Sequence, residues 1–262
     1  MRRALLAGVA MLLLLPMLPV AVWAFSGQWR FPALVPQHPS SRGVRLLGAS
    51  QGELIGGLFT SVTVAVAVSV TACAIGIPAG RALGLHRMRG RRAVQLALLA
   101  PVVVPGLAVT LGIQVLFIHL GLTATVTGVV LVHLIPTVPY VTLLMTAAFR
   151  TFDTDYERQA RALGAGPVRT TIEVTLPLLR PAIVTAALIA FLISWNEYVL
   201  TLIVGAGQVK TLPILLFAAI ASSDTTVAAF LALVLIALPL VLVAIATRTW
   251  TGSVRSLTAG PR

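Results

Sequence analysis

Apolar residues in this chain come in runs of about twenty, separated by short segments in which arginine, glycine and proline collect. A run of that length, at about 1.5 Å per residue, carries a helix across roughly 30 Å of hydrocarbon. Six such runs are read, at about 4–24, 56–80, 94–118, 125–148, 181–204 and 225–247. The pattern predicts an all-α, polytopic membrane protein of six transmembrane helices. With no internal repeat at a period of about 20–50 residues, residues 1–262 read as one transmembrane domain.

The longest polar interruption, about 149–180, has a pattern of its own. Tyr156, Ala160 and Leu163 fall at i, i+4 and i+7, an apolar stripe on a short helix whose other faces carry Glu157, Arg158 and Arg161. Asp153 or Asp155 can cap its start, and Gly164 can take the left-handed conformation that ends it. Pro167 then opens a second short helix to about Thr175, Leu176-Pro177 breaks it, and Pro181 lies in the first turn of the fifth span.

Composition supports this class: 58% apolar and 10% charged residues describe neither a soluble domain nor a disordered one. A net charge of +12 would raise the question of nucleic acid on a soluble protein, but here the basic residues sit between apolar runs and serve orientation in a bilayer. Fifteen arginines fall on one side: Arg2 and Arg3, the cluster Arg81 to Arg92, the group Arg150 to Arg180, and Arg248, Arg255 and Arg262. Arg30, Arg42, Arg45 and Lys210 are the four basic residues on the other. The positive-inside rule therefore predicts cytoplasmic termini, a cytoplasmic 149–180 loop, and an external 25–53 segment made irregular by Pro32, Pro36 and Pro39. Arg2-Arg3, the leucine-rich core and Val22-Trp23-Ala24 also fit a signal peptide; the run is long for one, and a retained span is the reading taken.

Catalytic chemistry is not legible. Gly205 to Thr211 resembles a phosphate loop at a glance but has Val209 where glycine must precede the lysine. His38, His86, His119 and His133 are dispersed with no acidic or cysteine partner at ligand spacing, which argues against a metal site or a triad, and the lone Cys73 reads as a packing residue. Within the spans, Ser194-Trp195-Asn196-Glu197-Tyr198 stands out, because a carboxylate facing lipid costs several kcal/mol. Ser194, Glu197 and Thr201 share one face of a continuous helix; Glu197 either lines a translocation path, with Asn196 beside it, or holds the helix against a neighbour. His133, Tyr140, Gln114 and Thr110 complete the path candidates, although packing is the commoner role for the first two. Gly76, Ala79 and Gly80 would let the second span approach another helix closely.

The interruption, YERQARALGAGPVRTTIEVTLPLLRPAI, resembles the EAA loop of binding-protein-dependent ABC importer permeases. Gly164, Val174, Leu176 and Pro177 fall on that pattern's spacing, Leu163-Gly164-Ala165 supplies its core, and the E-A-A itself is degraded to Arg158-Gln159-Ala160 with Glu157 one place early. The resemblance implies a coupling helix that docks on a cytoplasmic ATPase, with Glu157, Arg158, Gln159, Ala160, Leu163, Gly164, Ala165, Val174, Leu176 and Pro177 at the contact. An interfacial helix on the headgroups is the rival reading, but it has no need of fixed separations. The resemblance further implies a bacterial inner-membrane location, a second permease subunit, homologous or identical, two ATP-binding subunits and an extracytoplasmic solute-binding protein. No cofactor is bound by this chain, ATP being used by its partner. Phe152-Asp153, His133 and Pro139-Tyr140 resemble polyamine and thiamine permeases; Trp195 to Tyr198 and Thr211-Leu212-Pro213 resemble carbohydrate permeases, the alternative cargo. A self-sufficient channel or secondary transporter is the alternative of another class, and would be expected to show paired ionisable residues at mid-membrane or inverted repeats.

Overall fold

The structure, a computed structural model, describes residues 17–29, 36–43, 52–86, 89–103 and 106–258, with isolated positions among the first 45. The first predicted span lies mostly outside the described residues; its end is helix α1 (Met17–Ala24). The segment after it, expected to be irregular, contains a short antiparallel ladder in which β1 (Ser26–Gln28) pairs with β2 (His38–Pro39).

The main helices are α2 (Glu53–Leu85), α3 (Arg91–Val103), α4 (Gly106–His119) and α5 (Val126–Arg150). Beyond the polar loop come α9 (Arg180–Trp195), α10 (Val199–Gly205), α11 (Leu212–Ala221) and α12 (Thr225–Thr258). Among the described residues three are long and apolar enough to cross a membrane: α2, α5 and the Thr225–Ala246 part of α12. A fourth appears if α9 is joined to the segment Pro167–Leu178, from which it is bent by 76°. At 33 residues α2 is about 50 Å long, so it outruns the hydrocarbon and carries Arg81 past the end of the predicted span. The start of α5 is fixed by Thr125, whose hydroxyl accepts the Gly128 N–H at 3.0 Å.

The third predicted span is described as α3 and α4, and Val104 and Pro105 between them lie outside the described residues. One expectation needs correction. The fifth span, read as continuous over about 181–204, ends at Trp195 and resumes at Val199. The segment after it, which lies outside the predicted spans, contains α11, whose Pro213 sits in the first turn where a missing N–H costs nothing.

Packing divides the chain into two compact units. The first comprises Met1–Ser61 and Lys210–Val241. Within it the Leu212 N–H donates to Ser61 Oγ at 2.8 Å, Thr226 Oγ1 donates to the Ser26 carbonyl at 2.7 Å, and ion pairs join Arg42 to Asp224 and Lys210 to Glu53.

The second unit, Val62–Val209 with Leu242–Arg262, holds the core that positions the polar loop. Ala72, Val141, Met145, Phe149, Leu179, Ala186 and Ala190 are buried together, with Cys73 half-buried against them as a packing residue. Here α2 lies directly on α5 through three glycines one turn apart. A Cβ on Gly76 would stand 2.5 Å from Val141 Cγ1, one on Gly80 2.5 Å from Met145 Cβ, and one on Gly84 2.5 Å from Phe149 Cβ. The sequence singled out Gly76 and Gly80; Gly84 extends the same ladder to the mouth of the polar loop.

Candidate functional site

The polar loop forms a helix, a corner and a second, irregular helix. Helix α6 (Asp155–Ala162) has Thr154 at its N-cap with no side-chain cap bond, and Asp153, one residue earlier, accepts the Asp155 N–H on its Oδ1 at 2.9 Å. It ends in a left-handed turn at Gly164, φ +87°, where the Gly164 N–H donates to the Arg161 carbonyl and the Ala165 N–H to that of Ala160, both at 3.0 Å. Pro167 then starts α7 (Pro167–Thr170), which widens into a π turn over Thr171–Thr175 and closes with α8 (Leu176–Leu178). The chain bends at Leu179 rather than at Leu176-Pro177, because Pro177 lies in the first turn of α8, where proline is tolerated.

Glu157 is the centre of this element, and the sequence placed it on the wrong face. It is 4% exposed. Its Oε2 accepts from Arg81 Nη2 at 2.7 Å and from Arg161 Nη2 at 3.2 Å, and its Oε1 accepts from Thr175 Oγ1 at 2.6 Å. Burial works to raise the carboxyl's pKa, but the Thr175 hydroxyl, the Arg81 hydrogen bond and charge, and the Arg161 charge outweigh it and hold the group below the ordinary carboxylate range. Arg81 in turn stands 5.9 Å from the centroid of the Phe149 ring, on the last turn of α5. One carboxylate thus ties α6 to the π turn and both to the end of α2.

The remaining loop candidates face outward or pack at the edge. Arg158 pairs with Asp155 on its own helix, Gln159 and Pro177 are exposed, and Ala160, Ala165, Val174 and Leu176 are half-buried. Leu163 at 89%, Val168 at 70% and Ile172 at 59% exposure put apolar side chains on the surface of a polar loop.

Among the path candidates, the structure brings three together. His133 is buried in α5, with Nδ1 2.9 Å from Ser194 Oγ on the last turn of α9 and Nε2 2.9 Å from Thr201 Oγ1 in α10. Thr201 Oγ1 itself donates to the Glu197 carbonyl at 3.1 Å, so the ring donates from Nε2 and accepts at Nδ1, a neutral imidazole with both nitrogens satisfied. Ser194 and Thr201 therefore meet through His133 and not, as expected, along one unbroken helix face. Glu197 Oε1 accepts the Leu200 N–H at 3.1 Å, capping the restarted helix, while Asn196 is exposed and its Nδ2 donates to the Leu192 carbonyl at 2.8 Å. Tyr140 is exposed, Gln114 half-buried and Thr110 fully buried.

Residues 76–251 match the family described as binding-protein-dependent transport system inner membrane component. The chain belongs to this family. It is accordingly a multi-pass inner-membrane permease, the membrane component of an ABC importer. The molybdenum transport system permease protein ModB of Mycobacterium tuberculosis is 32% identical over 255 residues, covering 90% of each chain. The spermidine/putrescine transport system permease protein PotC of Haemophilus influenzae is 30% identical over 190 residues, 72% of this chain and 74% of that one. The fold also matches a bacterial ABC transporter involved in import of the acidic polysaccharide alginate, with a TM-score of 0.71 at 20% identity over 95% of this chain and 94% of the other. The permease's loop candidates lay in the part of the sequence with fixed spacing, whereas Arg81, the partner of Glu157, carried no local signal.

Proposed function

We propose that this permease pairs with a second permease subunit, two ATP-binding subunits and an external solute-binding protein, and that residues 155–179 transmit the movement of the ATPase to the spans. The carrying observation is the buried Glu157 carboxylate held by Arg81, 76 positions earlier in the chain. A helix resting on headgroups gains nothing by sinking its carboxylate against a distant arginine; an element that must pull on α2 does. The exposed Leu163, Val168 and Ile172 give it an apolar face for a protein groove. The arginine asymmetry supports cytoplasmic termini and a cytoplasmic loop, and ATP is bound by the partner alone.

The test is Glu157→Gln in the assembled complex. Uptake and solute-stimulated ATP hydrolysis should fall at least tenfold while the ATPase still co-purifies. Unchanged stimulation sinks the coupling role, and absence of any co-purifying ATPase would favour a self-sufficient channel or secondary transporter.

The cargo we favour is a small cationic solute of the polyamine or thiamine class, supported by relatives such as the spermidine/putrescine permease. An oxyanion is the second reading, favoured because the molybdenum permease aligns over nine-tenths of both chains. Thermal-shift screening of the cognate binding protein against spermidine, putrescine, thiamine, molybdate and a disaccharide separates these from the carbohydrate alternative.

A further inference from the structure

The break in the fifth span is polar, exposed and in a place where lipid would not tolerate it. Helix α9 has 16 residues and so reaches about 24 Å, short of the roughly 30 Å of hydrocarbon. Asn196, Glu197 and Tyr198 then stand between α9 and α10, where the Glu197 N–H reaches only to the Ser194 carbonyl, three residues back, at 3.2 Å, and Asn196 is exposed on the subunit surface. Irregular backbone at membrane depth persists only where protein buries it or water reaches it. The two helix ends beside the break are not free to drift, since His133 bonds to Ser194 on one side and to Thr201 on the other, and both contacts are buried. Glu197 contributes from within the break, its carboxylate holding the Leu200 N–H and its carbonyl the Thr201 hydroxyl.

We propose that the Asn196–Tyr198 break faces the aqueous translocation route, and that His133 is a positioning residue that fixes its geometry by clamping the helix ends on both sides. The inference rests on the permease reading above and assigns separate roles to two groups of polar residues: Asn196 meets the passing solute, while His133, Ser194 and Thr201 stay buried and hold it in place. An imidazole suits the task because its two nitrogens act in opposite directions at once, one donating and one accepting.

The experiment uses the full importer in membranes, with Cys73→Ser as background. Asn196→Cys should react with a membrane-impermeant methanethiosulfonate reagent, and the reaction should reduce uptake at least fivefold. If the cysteine reacts only with membrane-soluble maleimides, the break faces lipid or protein and the proposal fails. If it reacts with no loss of uptake, it lies in open water beside the path, and the proposal fails equally. For the clamp, His133→Phe fills the space without hydrogen bonds, and His133→Gln retains one donor and one acceptor. The Phe variant should raise the KM for uptake about tenfold and change the impermeant-reagent rate at Asn196→Cys, with basal ATP hydrolysis kept; the Gln variant should restore at least half of the loss. Equal behaviour of the two variants, or a wild-type KM in both, overturns the positioning role. Should His133→Phe not assemble, Ser194→Ala and Thr201→Val each remove one bond to His133, and a wild-type KM in both would likewise overturn it. If no ATPase co-purifies, the proposed function fails; if one does and Asn196→Cys behaves as a lipid-facing residue, only the present inference fails.

Discussion

Gly80→Ala adds one methyl group to α2 and tests whether the glycine ladder sets the distance to α5. The new Cβ would lie 2.5 Å from Met145 Cβ, 2.9 Å from the Met145 carbonyl carbon and 2.9 Å from the Thr146 nitrogen. Carbon atoms settle about 3.5–4.0 Å apart, so the helices must separate by about 1 Å or bend. A gap of about that size forfeits a quarter to a half of each dispersion contact along the ladder. Overpacking of this kind costs about 1–3 kcal/mol, against about 0.5–1 kcal/mol gained from replacing a helical glycine by alanine. The net expectation is a loss of up to about 2.5 kcal/mol, or a fall of up to several degrees in the melting temperature of the purified complex. Gly56→Ala on the same helix is the control, because nothing lies within 4 Å of its Cβ. Met145→Ala should not rescue, since the obstruction is Met145's own Cβ and backbone. A Gly80→Ala protein as stable as Gly56→Ala, or rescued by Met145→Ala, would refute the argument.

Further expectations concern the loop and the topology. Because the Glu157 carboxyl is held below the ordinary carboxylate range, its contribution is complete above its unfolded-state pKa of about 4.3 and is lost as pH falls through the lower folded value. The melting-temperature gap between wild type and Glu157→Gln should therefore be flat from about pH 6 upward and close in acid; a gap that grows in acid would contradict the sign. Gly164→Val should cut solute-stimulated ATP hydrolysis, while Gly164→Asn should retain most of it, since φ +87° strains a β-branched residue by about 1–2 kcal/mol and asparagine far less, and no neighbour lies within 4 Å of a Cβ there. With Cys73 replaced, a cysteine at Ser41 should label from outside intact cells and one at the exposed Val168 should not; the reverse would invert the orientation.

What the sequence made legible was local. Apolar runs located α2, α5 and the start of α12, and Gly164 and Pro167 foretold a left-handed corner followed by a new helix. The break after Trp195 was hidden because Asn196 and Glu197 interrupt an apolar run too briefly to change its average, and α11 was hidden because it is too short to count as a span. Glu157 was misplaced for a different reason. Its helix is amphipathic by pattern, and pattern put the carboxylate with the solvated arginines, whereas its burial depends on Arg81 and on Thr175, 76 and 18 positions away. The His133 cluster has the same character: its members were all named, but the grouping arises from antiparallel packing across 61 and 68 positions.

The π turn at Thr171–Thr175, closed by the Leu176 N–H on the Thr171 carbonyl, bears on which genetic changes the loop can absorb. A π turn is an α-helix with one residue inserted, and each residue advances the chain by about 100°. Point changes at the exposed Ile172 or Glu173 leave that phase intact. Deleting either codon removes the inserted residue, so the turn can close as an ordinary α turn with the residues on both sides still in phase. An in-frame deletion of a single codon should therefore be tolerated better within Thr171–Thr175 than within α6, where it would rotate Arg161 away from Glu157.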